Sequence, residues 1–324
     1  MAGLGAAREL AKRGEEVVVL EARDRIGGRT WTDDSLSTPA DLGASWIHGV
    51  RGNPITAIAE EQGLDLVPTR YGNQVVYSAD GNRIPPQDIP DPLALVSSNA
   101  AAAQPTEAIG RYLRPEDAGG STEVQLAQFV ASTEIEHEFA GPIDDLSISA
   151  IEEGRAQRGG DALILSGYSR VAEALGDGLD VQLGAPAERI AHSSAGVTVA
   201  GPTGEEAGER VIVTVPLGVL QAGTIEFAPA LPEPKQAAIS RLGMGLLDKV
   251  YRQFDEVFWD RDVEVIGYVA PDGGSYVFWL NLFQYTGEPV LVAFTAADYA
   301  DRIERTSDEE IIEGALATLR AIYG

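Results

Sequence analysis

The chain has 324 residues, of which 24 are basic and 50 acidic, giving a formal net charge of −26 with 44% apolar side chains. That length and apolar content suit one large or two average domains around a buried core and exclude a disordered chain. The acid excess disfavours nucleic acid or an anionic bilayer as partner, and no apolar run approaches the ~18 residues of a spanning helix.

Cysteine is absent, which removes disulfides, thiolate metal sites and cysteine nucleophiles. His48, His137 and His192 are scattered without metal-ligand spacing, so no metal is expected. Residues 1–14 mix Arg8, Glu9, Lys12 and Arg13 with small residues, unlike a secretory signal, and the expected location is cytoplasmic. Taken alone, the acidic surface reads as a solubility feature; beside a polycationic ligand it would act as an attracting field.

The run AGLGAARELAKR over 2–13 predicts a helix with basic residues in its last turn and Gly14 just past its end. Glu16–Leu20, a short β-branched run, predicts a buried parallel strand ending at Glu21. Helix, strand and terminal acid are the second half of a dinucleotide-binding βαβ unit, where the acid accepts hydrogen bonds from the ribose hydroxyls. Glu21 follows Gly3 by 18 residues, close to the roughly 20 expected after a glycine motif. Gly3 would be the last glycine of that motif, the remainder falling before Met1. By itself Gly3 serves equally as a helix–strand packing glycine, and Glu21 as a solvated strand end.

The next string, Glu21-Ala-Arg-Asp-Arg-Ile-Gly-Gly-Arg-Thr30, adds two adjacent glycines and Arg29. Glycine permits close backbone approach to a diphosphate, and a guanidinium holds its oxygens in pairs. This string resembles the signature of the flavin-containing amine oxidases and their wider relatives. Asp41-Leu-Gly-Ala-Ser-Trp-Ile-His-Gly49 resembles the loop beneath the flavin ring in polyamine oxidases. The segment 224–260, TIEFAPALPEPKQAAISRLGMGLLDKVYRQFDEVFWD, resembles the same family in its polyamine oxidase and lysine demethylase branch.

The resemblance implies an α/β fold: an FAD-binding, Rossmann-like (doubly wound) domain interleaved with an α+β substrate-binding domain. Residues 1–74 and 159–235 would form the first, and 75–158 and 236–324 the second. It implies FAD contacts at Gly3, Glu21, Arg23, Gly28 and Arg29, with the Ala187 backbone at adenine. Gly43, Ala44, Ser45 and Trp46 would lie at the flavin ring, with Trp46 and His48 facing the substrate. Lys249, within the strand-like Leu247–Phe254, matches the family lysine that holds a water against flavin N5. In an arbitrary protein such a lysine would be a solvent-facing strand residue, and His48 a structural turn histidine.

Elsewhere, Val211–Leu220 predicts an apolar strand stopped by proline and glycine, and Asp180–Val199 two strands turning at Ser193–Gly196. Segment 85–118 is expected as helix-and-loop cover. Residues 276–283 and 290–295 predict substrate-domain strands, and Ser307 begins a helix running to about Ile322. The family continues beyond Tyr323-Gly324, so the cofactor domain is expected to be incomplete, lacking its first strand and C-terminal segment. The implied reaction is FAD-dependent oxidation of a small-molecule amine, polyamine first, to an imine with oxygen reduced to hydrogen peroxide. Alternatives are a monoamine, L-amino-acid or hydrocarbon substrate, or an inactive fragment that keeps the fold.

Overall fold

A computed structural model describes residues 1–91, 104, 106–112, 121–149 and 157–324. The protein is mixed α/β, with its strands distributed over several sheets. The opening helix spans Ala2–Lys12 and buries Leu4 and Ala7, while Gly14 beyond it takes the left-handed φ of +83°. It leads to the strand Val18–Leu20, which pairs in parallel with Asp180–Gln182 and forms a two-stranded sheet. Beside them, Arg189–Ser193 and Gly196–Gly201 form the expected hairpin, with Ser193 opposite Gly196. Gly204–Gly208 and Glu226–Ala228 extend that hairpin to four strands.

The largest sheet has six strands, in the order Leu247–Gln253, Val290–Ala296, Phe278–Asn281, Val265–Tyr268, Gln74–Tyr77 and Arg83–Ile84. Every residue of Val290–Ala296 is buried, as expected of a strand covered on both faces. Leu247–Gln253 lies at the sheet edge, and Lys249 sits opposite Phe294 of its neighbour. The final helix, Asp308–Tyr323, opens with a reciprocal cap between Ser307 and Glu310 and packs Ala315, Leu319 and Ile322 into the sheet's core.

One expected strand is absent. Residues 211–216 form no ladder, and Leu217–Ala222 is helical. Val211, Ile212 and Val213 are 40%, 58% and 38% exposed. A strand exists only where neighbouring backbones accept its hydrogen bonds, and no described strand lies alongside this run. Of segment 85–118, the described residues include single turns at Pro86–Asp88 and Ile109–Arg111; the rest lies outside the described residues. Among the described residues no helix is long and apolar enough to cross a membrane.

Candidate functional site

Two groups of residues far apart in sequence converge around the loop 21–30. At its first end, Glu21 follows the parallel strand, and its carboxylate accepts the Arg23 N–H at 2.9 Å. The Glu21 carbonyl accepts the Ala185 N–H at 2.9 Å, and the Arg23 carbonyl accepts the Gly184 N–H at 2.8 Å. These bonds hold the loop carrying Ala187 against the acid. The start of the opening helix lies close by, since the Met1 amine donates to the Gly27 carbonyl at 3.4 Å. A Cβ on Gly3 would stand 2.9 Å from Thr214 Oγ1, so this glycine lets the helix start approach the 211–215 run.

The paired glycines differ in what they require. At Gly27 a Cβ would stand 2.5 Å from the Thr30 carbonyl, whereas at Gly28, with φ +64°, it would meet nothing within 4 Å. Gly28 therefore borders open space. Arg29 and Arg23 are exposed.

At the loop's other end, the Arg29 carbonyl accepts the Ala44 N–H at 3.2 Å. A Cβ on Gly43 would fall 2.0 Å from that carbonyl oxygen, so only glycine permits this approach. The Asp41 carboxylate is buried, accepting the Thr32 hydroxyl at 2.6 Å and the Tyr168 N–H at 2.9 Å. Burial nevertheless holds its carboxyl above the usual range. The Asp41 carbonyl accepts from Lys249 Nζ and from the Tyr251 hydroxyl, each at 2.9 Å.

Lys249 is the centre of this second group. Its ammonium also donates to the Gly43 carbonyl and, at 2.5 Å, to Ser45 Oγ. Nζ lies 5.7 Å from the ring centres of both Trp46 and Phe294. Burial pulls its pKa down to about 8, with the Asp41 carboxylate resisting that fall. All three ammonium protons have acceptors on the Asp41–Ser45 segment, so Lys249 ties that loop to the sheet edge. A cavity of about 30 Å³ bounded by Asp41, Ser45, Trp46, Tyr251 and Phe294 has room for water but not for an amine substrate.

Trp46 connects this group to His48. Its ring stacks on His48 with centroids 6.4 Å apart and meets Tyr71 at 6.2 Å and Phe294 at 5.8 Å. The His48 side chain is 67% exposed and bonds Asp161 through Nδ1 at 2.9 Å. Two residues assigned no site role from the sequence also stand here: Asp161, and His137, whose ring packs 6.1 Å from Phe278 and 6.5 Å from Phe294. Burial lowers the His137 pKa to about 4, with a hydrogen bond to the Phe294 backbone opposing the fall. A carboxylate preceding a strand and a histidine in a helix carry no local pattern that would have marked either one.

The residues suit a flavin dinucleotide. A helix start without a side-chain cap supplies backbone donors for a pyrophosphate. Glu21 stands where a ribose acid belongs, Gly28 leaves space for close approach, and the Trp46 indole N–H is buried without a partner. Among the described residues no His, Asp or Glu cluster could hold a metal.

The whole chain, residues 1–324, matches the model of the flavin containing amine oxidoreductase family. Polyamine oxidase 4 of Oryza sativa subsp. japonica is 34% identical over 347 residues, covering 99% of this chain and 70% of the relative. Polyamine oxidase 2 of Arabidopsis thaliana is also 34% identical, with the same coverage. Among solved structures, cyclohexylamine oxidase from Brevibacterium oxydans superposes with TM-score 0.78 at 22% identity, covering 99% of this chain and 79% of that one. Putrescine oxidase bound to putrescine gives TM-score 0.75 at 22% identity, again covering 99% and 79%. This chain belongs to the flavin-containing amine oxidoreductase family and is an FAD-dependent amine oxidase with the family's FAD-binding and substrate-binding architecture.

Proposed function

We propose that the protein oxidises polyamines to the corresponding imines, the two electrons and two protons passing by way of FAD to oxygen and leaving as hydrogen peroxide. The observation that carries this reading is the seat of Lys249: a buried ammonium clamped to the Asp41–Ser45 backbone between two aromatic faces. Bound FAD supplies the two-electron oxidation of the amine's C–N bond. Gly3, Glu21, Arg23, Gly28, Arg29 and the Ala187 backbone hold the dinucleotide in this proposal, and Gly43, Ala44, Ser45 and Trp46 support the ring. Lys249 would reach the bound ring through a water, for which Nζ must turn from one of its three acceptors.

Desolvation at this point, which lowers the Lys249 pKa, favours the neutral amine that can be oxidised. Relatives named polyamine oxidases and a net charge of −26 support a polycationic substrate over a monoamine or an amino acid. The test is amine-dependent peroxide release by the FAD-loaded protein with spermidine, putrescine, benzylamine and an L-amino acid. The expected order places spermidine first. Turnover confined to the amino acid overturns the polyamine assignment.

A further inference from the structure

Lys249 carries its charge into the site without an ion-pair partner among the described residues. Its three acceptors, the Asp41 and Gly43 carbonyls and Ser45 Oγ, are all neutral groups. The side chains around it add no charge either. Burial and the Asp41 charge hold Tyr251 neutral, Phe294 lies opposite in the sheet, and His137 beyond Phe294 is neutral above pH about 4. Asp248 precedes Lys249 in the strand and so points to the other face, where Glu304 is the charge that acts on it. The acid whose charge reaches Lys249 is Asp41.

The Asp41 carboxylate is firmly seated. Asp41 stands opposite Thr32 in a two-stranded ladder, and its Oδ1 accepts both the Thr32 hydroxyl at 2.6 Å and the Tyr168 N–H at 2.9 Å. Thr32 is tied in turn to the head of the helix Ser169–Gly176: its N–H donates to Ser169 Oγ at 2.8 Å, and its hydroxyl accepts the Ser169 N–H at 3.0 Å. Burial and the charge of Asp34 oppose ionisation of Asp41, while both hydrogen bonds and Lys249 favour it. A carboxylate and an ammonium buried near one another each sustain the other's charge, and removing one leaves the other uncompensated. We propose that Asp41 is a positioning residue whose carboxylate is the counter-charge that keeps Lys249 an ammonium where the flavin ring binds. The proposal rests on the amine oxidase reading of Lys249 and adds to it the group that holds its proton.

Asp41→Asn isolates the effect. Both hydrogen bonds fall on Oδ1, so the asparagine oxygen keeps them while the charge is lost. The chain has three lysines, so ¹³C-labelled lysine gives three side-chain signals; Lys12 and Lys235 are exposed controls, and Lys249 is identified by its loss in Lys249→Met. Lys249 is expected to titrate near 8 in the wild type and at least about one unit lower in Asp41→Asn, a tenfold loss of proton affinity.

The midpoint potential of the FAD-loaded protein supplies a readout that a merely structural role would not move. Loss of an anion by itself eases reduction and raises the potential, whereas loss of the lysine proton lowers it. Between the two lysine pKa values Asp41→Asn is therefore expected to lie below the wild type, and in a Lys249→Met background the same substitution is expected to give no fall. An unmoved Lys249 titration overturns the proposal, as does a potential that falls equally without Lys249. Should Asp41→Asn fail to fold, Lys249→Met reads the same coupling from the other side: the Asp41 carboxyl is expected to titrate higher by a similar factor, and an unmoved carboxyl overturns the proposal. Absence of peroxide with every amine would defeat the amine oxidase reading instead, while the lysine titration, made without substrate, decides the counter-charge independently.

Discussion

Lys249 keeps an ammonium where solvent is largely excluded, and what it gains is three acceptors on one loop. Because burial lowers its folded-state pKa to about 8 from 10.5, the unfolded chain holds the extra proton between those values. Stability from this residue therefore rises with pH across that window. Urea unfolding of wild type and Lys249→Met, compared at neutral pH and at the top of the window, isolates the effect. The wild type is expected to gain on the order of 2 kcal/mol relative to the variant. A constant difference would place the ammonium in a wetter site than the structure shows. The motif around Lys249 made it legible in the sequence. Its acceptors were not, because Asp41 and Gly43 lie more than two hundred residues away and meet it only through folding.

At the scale of elements, the π-helical turn Ser132–Glu136 carries the chain into the short helix His137–Phe139, which places the His137 ring beside Phe278 and Phe294. Such turns recur at functional sites because the extra residue redirects a side chain. The folded-state pKa of about 4 lies below the ordinary 6.5, so the unfolded chain takes the proton first on acidification. Stability is lost as pH falls from 6.5 towards 4. His137→Phe is expected to flatten that limb of the thermal stability profile, and an unchanged limb would show that other groups set it. The final helix was legible from its cap and the strand carrying Lys249 from the family motif around it, whereas its place at the sheet edge was not. The 211–216 run was misread for a definite reason: β-branched composition records a preference for a sheet, whereas a ladder needs a neighbour. The π-turn left no sequence signal, since it depends on the surrounding packing.

Across the whole molecule, the charge of −26 produces a field no single residue supplies. If polyamines are the substrates, that field raises their local concentration and is screened as ionic strength increases. Raising salt from about 0.01 to about 0.15 M, which shortens the screening length from ~30 to ~8 Å, is expected to lower kcat/KM for spermidine severalfold and for benzylamine much less. Equal losses for the two amines would leave the charge as a solubility feature.

The sequence by itself determined the opening helix and the strand after it, written in adjacent residues by capping and composition, and the family, carried by its motifs as a resemblance. Tertiary structure alone decided that Asp41 lies under Lys249, that the Arg29 carbonyl forbids any side chain at Gly43, and that register sets Asp161 against His48. Those relations depend on contacts between distant segments, and a linear pattern carries no record of which strand a residue will face.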